Sequence, residues 1–170
     1  MQSLFASQKP LEKRRLETIK FSEKNSMCYW WRIRNPLRII VNFIIIELCK
    51  YLPSLTVKRV LLRMLGMKVG KNVSIGFGVQ FDIFFPELIE IKDNSIIGYN
   101  TTLLSHEFLT NKFRKGKIII GRNVMIGANS TILAGVRIGD NSVISACSFV
   151  NRDVPKNRLV RGNPAKVVRA

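Results

Sequence analysis

The chain has 170 residues, of which 46% are hydrophobic and 23% are charged, enough for one buried domain with an appendage. Its 28 Lys and Arg residues outnumber 11 Asp and Glu residues, so the formal net charge of +17 favours nucleic acid, an anionic membrane or a phosphate-bearing cofactor as partner. Three cysteines without CxxC spacing argue against a disulfide framework or a zinc site and favour a reducing cytoplasm: Cys28, Cys49 and Cys147.

The N-terminal region is predicted to have two parts. Residues 1–35 are polar and basic, and we expect a mobile segment or a loose helix there. Residues 36–68 are predicted to hold two helices, at 36–52 and 55–65, with Pro36 in a first turn where its missing N–H costs nothing.

The first predicted helix is apolar around most of its circumference. We therefore expect it to be buried against the rest of the domain, a neighbouring subunit or a lipid surface. Polar residues interrupt it too often for a membrane-spanning helix: Arg38, Asn42, Glu47 and Lys50. Trp30 and Trp31, with nearby arginines, suit an anionic lipid interface, so we hypothesise a peripheral contact at the inner face of the membrane.

From residue 69 onward an aliphatic or aromatic residue recurs every six positions, in three blocks. The twelve positions are Val69, Ile75, Phe81, Ile91, Ile97, Leu103, Ile120, Ile126, Ile132, Ile138, Ile144 and Val150. Glycine often follows this residue, and a small or β-branched residue often lies four places after it. A helix or a simple alternating strand does not produce this spacing.

The sixfold spacing predicts a parallel β-helix of about four to five coils over residues 69–155, in which each unit is a short strand and a turn. The aliphatic residue points inward, the small residue fills the interior, and glycine is expected to permit the turn. The alternative, a β-sandwich of short strands, requires spacings of about 8–12 residues. An insertion at 109–119 predicts a protruding loop, and residues 156–170 form a separate tail.

The sequences IGANST at 126–131 and IGDNSV at 138–143 resemble the hexapeptide-repeat acyltransferases, and the resemblance extends over residues 69–169. It implies that the all-β solenoid is a left-handed parallel β-helix, with the N-terminal helices as an addition. It also implies acetyl-CoA as acyl donor, no metal, and a homotrimer with the site between neighbouring solenoids.

His106 is the single histidine of the chain and stands immediately before the inserted loop, in LLSHEF at 103–108. In the galactoside and maltose O-acetyltransferases that the chain resembles, a histidine in this place removes a proton from the acceptor hydroxyl. Imidazole suits a general base because its charge changes near neutral pH. Glu107 and Asp82 are both candidates to orient the imidazole. We predict that Glu107 is catalytic together with His106. Asp82 is also a candidate to bind acceptor hydroxyls.

The segment RGNPAKVVR at 161–169 is similar to the closing segment of the same family. The resemblance implies that Ala146 lies beside the pantetheine arm of coenzyme A. Arg152, Lys166 and Arg169 would then meet its phosphates, as cations suited to phosphate oxygens.

Met125 stands where the sugar acetyltransferases often carry Trp, and Gly76 where they carry Asn. Because of these two departures, the sequence does not identify one acceptor. We expect a sugar, a polysaccharide or a related small molecule.

Some of these sequence features also occur in other classes of protein. A γ-class carbonic anhydrase shares the solenoid but needs three histidines as metal ligands, so it is excluded. A non-catalytic hexapeptide scaffold or a membrane-associated binding protein remains the alternative. Nucleic-acid binding is disfavoured because no recognised motif accompanies the charge.

Overall fold

The computed structural model describes residues 14–21 and 25–169, apart from the side chain of Arg169. Its N-terminal part is helical. A 3₁₀ turn at Ser26–Tyr29 leads into the short helix α1 (Trp30–Ile33), followed by α2 (Pro36–Tyr51) and α3 (Leu55–Met64).

Asparagine and serine begin the two longer helices. The side chain of Asn35 accepts a hydrogen bond from the backbone N–H of Leu37, and that of Ser54 accepts one from Val57. Pro36 occupies the first turn of α2, where its fixed φ fits a helix.

Short strands separated by turns form the body of the molecule, as the sixfold spacing predicts. They are β2 (Lys68–Val69), β3 (Ser74–Ile75), β4 (Gln80–Phe81), β5 (Ile89–Ile91), β6 (Ile96–Ile97), β7 (Thr102–Leu103), β10 (Ile118–Ile120), β11 (Met125–Ile126), β12 (Thr131–Ile132), β13 (Arg137–Ile138), β14 (Val143–Ile144), β15 (Phe149–Val150) and β16 (Leu159–Arg161). A second 3₁₀ turn, Pro86–Leu88, precedes β5.

These strands stack in parallel into three walls in the described part of the chain. The first wall has the order β2-β5-β10-β13, the second β3-β6-β11-β14-β16, and the third β4-β7-β12-β15. The chain visits them in turn, so the molecule is a prism with three edges: the first edge joins walls one and two, the second joins walls two and three, and the third returns to wall one.

The interior of the prism is a continuous column of aliphatic side chains. Every one of the twelve hexad positions from residue 69 to residue 150 is buried. Ile97, Ile126 and Ile144 are equivalent positions on neighbouring strands of the second wall, so β-branched side chains stack directly on one another. The small residues are buried too, and several bond across coils, as Ser95 Oγ does to the carbonyl of Gly121 at 2.8 Å.

The repeat glycines have a different role from the one expected. Positive φ angles occur mainly at asparagines of the turns, whereas Gly98 and the other glycines that follow the aliphatic residue do not have one. A Cβ on Gly98 would lie 2.6 Å from the backbone nitrogen of Ala128 on the next coil. Glycine is needed there because neighbouring coils approach closely, so the prediction that it permits the turn is wrong.

The insertion forms an antiparallel hairpin of β8 (His106–Leu109) and β9 (Lys112–Lys115) at the third edge. It begins three residues before the predicted loop, so His106 lies inside its first strand. The structure also corrects the expected mobile segment: β1 (Glu17–Lys20) pairs antiparallel with β9. Predictions for residues 1–13 and 22–24 lie outside the described residues.

The helices and a terminal strand lie at opposite ends of the prism. Helix α2 contacts β4, and α3 contacts β2 and β3, all strands of the first coil. The buried ammonium group of Lys58 on α3 donates to the carbonyls of Ile75 and Gly76, each at 3.1 Å. At the other end, β16 joins the second wall within the predicted tail, and β17 (Lys166–Arg169) pairs antiparallel with it.

Candidate active site

The third edge carries both interruptions of the repeat. The first, which contains Pro86, lies between β4 and β5, and the second is the β8–β9 hairpin between β7 and β10. Because β4 and β7 are neighbours in the third wall, the two interruptions lie on adjacent coils. Asp82 directly follows β4 and His106 follows β7, so the topology brings these two residues together.

The imidazole of His106 contacts the carboxylate of Asp82. Nδ1 of His106 lies 2.5 Å from Oδ2 of Asp82. An ionised carboxylate can only accept hydrogen bonds, so Nδ1 carries the proton. In the neutral ring Nε2 then has the free lone pair and can accept a proton from another molecule.

Asp82 is itself held from several sides. Its Oδ1 accepts from the backbone N–H groups of Phe84 and Phe85 at 2.8 and 3.0 Å. Its Oδ2 accepts from those of Ser105 and His106 at 2.8 and 3.0 Å. The carboxylate is a fixed acceptor for the imidazole.

Burial and hydrogen bonding act in opposite directions on Asp82. The residue is 1% exposed, and burial raises the pKa of its carboxyl group. The hydrogen bond and charge of His106, together with the N–H groups of Phe85 and Phe84, outweigh burial and hold the pKa below its ordinary value. Asp82 is therefore ionised at neutral pH.

This environment bears on the two roles predicted for Asp82. Both carboxylate oxygens are buried and hydrogen-bonded within the chain, which leaves none for a ligand. The prediction that Asp82 binds acceptor hydroxyls does not fit this geometry, whereas orientation of the imidazole does.

Glu107 lies on the other side of β8 from His106, because successive side chains of a strand point in opposite directions. Its carboxylate pairs with Arg14, whose segment precedes β1, and its Oε2 lies 4.0 Å from Arg114 on β9. These contacts tie the hairpin to the N-terminal strand. The prediction that Glu107 assists His106 does not fit them.

Four phenylalanines surround the imidazole and were not singled out from the sequence. Their ring centroids lie 4.6 to 6.2 Å from that of His106: Phe84, Phe108, Phe113 and Phe85 in order of increasing distance. The available signal was their position, since two lie in the first interruption and two in the second. Side chains of His106 and Asp82 are 13% and 0% exposed, so the apolar rings restrict water around the pair.

The residues predicted to bind the cofactor are dispersed over the surface of one chain. Ala146 is exposed on the second edge, after β14, and Lys166 is exposed at the start of β17. Arg152 is exposed on the third edge, two strands along the wall from the position of His106. Arg169 pairs through its backbone with Leu159, and its side chain lies outside the described part.

Neither a metal site nor a membrane-spanning helix is found in the described part of the chain. Over residues 14–21 and 25–169, His, Cys, Asp and Glu side chains do not gather in threes in a way that could hold a metal ion. Over the same ranges, no helix combines the length and apolar character needed to cross a membrane.

Comparison with known proteins identifies the family. The model of the bacterial transferase hexapeptide (six repeats) matches residues 117–152. A protein of Bacillus subtilis (strain 168) named "Putative acetyltransferase YvoF" is 47% identical over 148 residues, which cover 86% of this chain and 86% of that protein. The chain belongs to the hexapeptide-repeat acetyltransferases, and it is an enzyme of the acyltransferase class.

Two solved structures share the fold. Galactoside acetyltransferase in complex with coenzyme A is 26% identical with a TM-score of 0.60, and the match covers 79% of this chain and 80% of that one. A hexapeptide-repeat acetyltransferase of Vibrio cholerae, VCA0836, complexed with acetyl coenzyme A, has a TM-score of 0.63 at 23% identity and covers 79% and 87%. The solenoid is therefore the left-handed parallel β-helix of this family.

Proposed function

We propose that the chain transfers an acetyl group from acetyl-CoA to a hydroxyl group of a sugar, a polysaccharide or a related acceptor, with His106 as general base. The contact between His106 Nδ1 and Asp82 Oδ2 carries this proposal. It supports the tautomer with the proton on Nδ1, in which Nε2 can take a proton from a hydroxyl group.

The proposed reaction proceeds without a covalent enzyme intermediate. Nε2 of His106 takes the proton of the acceptor hydroxyl as its oxygen attacks the thioester carbonyl. The C–S bond of acetyl-CoA then breaks, the ester is released, and the imidazolium returns the proton to the thiolate of CoA. The ionised Asp82 stabilises the imidazolium between the two steps, since an adjacent negative charge favours the protonated ring.

We further propose that the site is shared between protomers of a homotrimer. His106 lies on the third edge, whereas Ala146 lies on the second edge and Lys166 at the end of the second wall. A cofactor running along Ala146 and Lys166 of one solenoid would reach His106 of a neighbour if a second edge packed beside a third edge. Arg152 and Arg169 would add cationic donors for the phosphates of coenzyme A.

The acceptor class rests on relatives and on the surroundings of His106. The galactoside acetyltransferase that shares the fold acts on a sugar, as its name states. Phe84 and Phe108 contact the imidazole and are partly exposed, so they offer apolar faces beside the proposed base. The aliphatic face of a sugar ring would fit such a surface.

We place the enzyme in the cytoplasm. All three cysteines have free thiols, of which Cys28 and Cys147 are exposed. Exposed free thiols persist in a reducing compartment.

An acceptor screen tests the proposal. The purified chain with acetyl-CoA is offered sugars, oligosaccharides and amines in separate reactions, and released CoA is followed with a thiol reagent. We expect acceptor-dependent thiol release with at least one hydroxyl compound and a fall of about 10² to 10⁴ in rate for His106→Ala.

Binding of acetyl-CoA, measured by calorimetry, serves as the control and should survive His106→Ala. Full activity in that variant would overturn the assignment of His106. Binding of acetyl-CoA without turnover of any hydroxyl compound would instead contradict the proposed acceptor class.

A further inference from the structure

Helix α2 presents an apolar stripe on the side opposite the solenoid. Its buried positions are Ile39, Asn42, Ile46 and Cys49, at the spacing of one helix face. On the other face the exposed positions are all apolar or aromatic, and we call them the α2 stripe: Leu37, Ile40, Val41, Ile44, Leu48 and Tyr51.

The exposure of the α2 stripe is large for such residues. Leu37, Ile44 and Tyr51 are 72%, 58% and 74% exposed. Isolated apolar residues are common on a soluble surface, but a contiguous row of six over four helical turns indicates an interaction surface. A second row of exposed apolar residues, which includes Val57 and Met64, lies on the adjacent helix α3.

The part of the chain that forms this end of the molecule carries mostly positive charge. Residues 25–68 contain one acidic residue, Glu47, whose carboxylate is already paired with Lys50 at 2.6 Å. The same stretch contains eight basic residues, of which Lys58 is buried and Arg34 is paired with Glu87: Arg32, Arg34, Arg38, Lys50, Lys58, Arg59, Arg63 and Lys68. An apolar face with cationic surroundings complements an anionic lipid surface.

A second copy of the chain is a poorer occupant. It would bring the same cationic surroundings to the contact, and like charges brought together without paired carboxylates are destabilising. Glu47 is already paired with Lys50, and Glu87 is paired with Arg34 at 2.9 Å, so neither carboxylate is free to compensate. Charge complementarity therefore distinguishes the two occupants.

Two tryptophans lie directly before α2. Trp30 and Trp31 are both exposed, and their rings meet edge to face with centroids 6.3 Å apart. Tryptophan is enriched at the boundary between lipid and water, where its ring is buried and its N–H remains hydrated.

We propose that the α2 stripe binds the headgroup region of an anionic lipid bilayer, with α2 lying in the plane of the membrane. The 16 residues of α2 are about 24 Å long, shorter than the hydrocarbon core of roughly 30 Å. The helix therefore rests on the bilayer instead of crossing it. This inference does not depend on the proposed reaction, because binding is measured without turnover.

Vesicle binding of the purified full chain tests it. Vesicles of phosphatidylcholine alone are compared with vesicles that also contain phosphatidylglycerol, by flotation and by tryptophan fluorescence. Since Trp30 and Trp31 are the only tryptophans, a blue shift on binding reports burial at this end of the molecule. We expect binding and a blue shift with phosphatidylglycerol, both weakened by salt.

Substitutions locate the surface. Ile44→Glu should lower the partition coefficient at least about tenfold, because it places a negative charge in the stripe and removes buried apolar area. Leu48→Ser should lower it less. Ile19→Glu is the matched control, since Ile19 is 49% exposed and lies on β1, away from α2.

Light scattering on the same proteins measures the subunit number. Vesicle binding that does not respond to phosphatidylglycerol, or that survives both Ile44→Glu and Leu48→Ser, would overturn the proposal. The proposal would also be overturned if the wild-type chain did not bind vesicles and the Ile44→Glu variant had fewer subunits than the wild-type chain. The α2 stripe would then bind a second copy of the chain.

Discussion

The first and third edges of the prism follow opposite rules. On the first edge every turn is alike: Asn72, Asn94, Asn123, Asn141 and Asn157 all have φ between 54° and 59°. Their side chains form a ladder from coil to coil, with amide hydrogen bonds of 2.8 to 3.1 Å from Asn94 to Asn157. The third edge has no corresponding ladder among the described residues, and its turns differ in length.

The contrast shows where this fold accommodates a site. A ladder requires each turn to match its neighbours, so an insertion there would break hydrogen bonds on both sides. The third edge carries no such requirement, and the chain there departs from the repeat to bring Asp82 against His106. If the coils divide in this way, substitutions beside His106 on the third edge should affect catalysis, whereas substitutions in the regular coils should affect stability.

Asp82→Asn should slow acetyl transfer by about 10- to 1000-fold, because an amide no longer selects the tautomer with its proton on Nδ1. The rate of thiol release measures the effect. Because Asp82 acts through His106 as a positioning residue, the pH profile of the rate should shift as well, which a purely structural role would not cause.

Glu107→Gln is the matched control on the same edge. It removes the charge that pairs with Arg14 and Arg114 and leaves the imidazole contact in place. We expect an activity within about threefold of wild type, in line with the small effect of partly exposed ion pairs. An equal loss in both variants would contradict the separate roles given to the two carboxylates.

Gly98→Ala should destabilise the solenoid by about 1–3 kcal/mol, because the new Cβ would lie 2.6 to 2.8 Å from backbone atoms of the next coil. Chemical denaturation measures the loss. Gly78→Ala is the control: its nearest atoms lie 3.6 Å away and its φ is 70°, so only backbone strain of about 1 kcal/mol is expected. Equal losses of stability in the two variants would mean that close approach between coils is not the reason why glycine is needed at position 98.

Asn123→Ala should cost about 1–2 kcal/mol, since alanine is strained at φ 54° and both ladder contacts of Asn123 are lost. Asn123→Gly removes the same contacts without the strain. The difference between the two variants, measured by denaturation, separates strain from hydrogen bonding. A Gly variant as stable as wild type would mean that the ladder contributes little.

Acid should reveal the stabilisation that Asp82 provides. Its pKa is lower in the folded chain than in the unfolded one, so this stabilisation is complete above the unfolded pKa and is lost as the pH falls through the folded pKa. Asp82→Asn should therefore show a shallower loss of stability than wild type as the pH falls through this range. Parallel acid curves for the two proteins would contradict the lowered pKa.

The sequence predicts the regular part of the molecule better than the irregular part. The sixfold spacing of Ile126, Ile132 and Ile138 defines strands, core and walls, and the parallel β-helix is confirmed. Glycine suggests conformational freedom, so the sequence wrongly assigns the turn positions to it, although asparagine recurs three places after many of the aliphatic residues. That spacing was visible and indicates left-handed turn residues.

The candidate site depends on contacts that spacing does not encode. Asp82 and Glu107 were equivalent candidates in the sequence, and adjacency to His106 favoured Glu107. Strand alternation turns Glu107 away, whereas stacking of adjacent coils places Asp82 beside the imidazole. The strand β1 could not be predicted either, because its partner β9 lies about 95 residues later and its own sequence is short and polar.

Both ends of the prism are closed by elements that do not repeat. At one end α2 and α3 pack against the first coil, where Lys58 occupies carbonyl groups that another strand could have used. At the other end β17 runs antiparallel to β16. A stack of strands with open ends can pair with further copies of the chain and grow into a fibre. These elements cap both ends and so oppose such polymerisation.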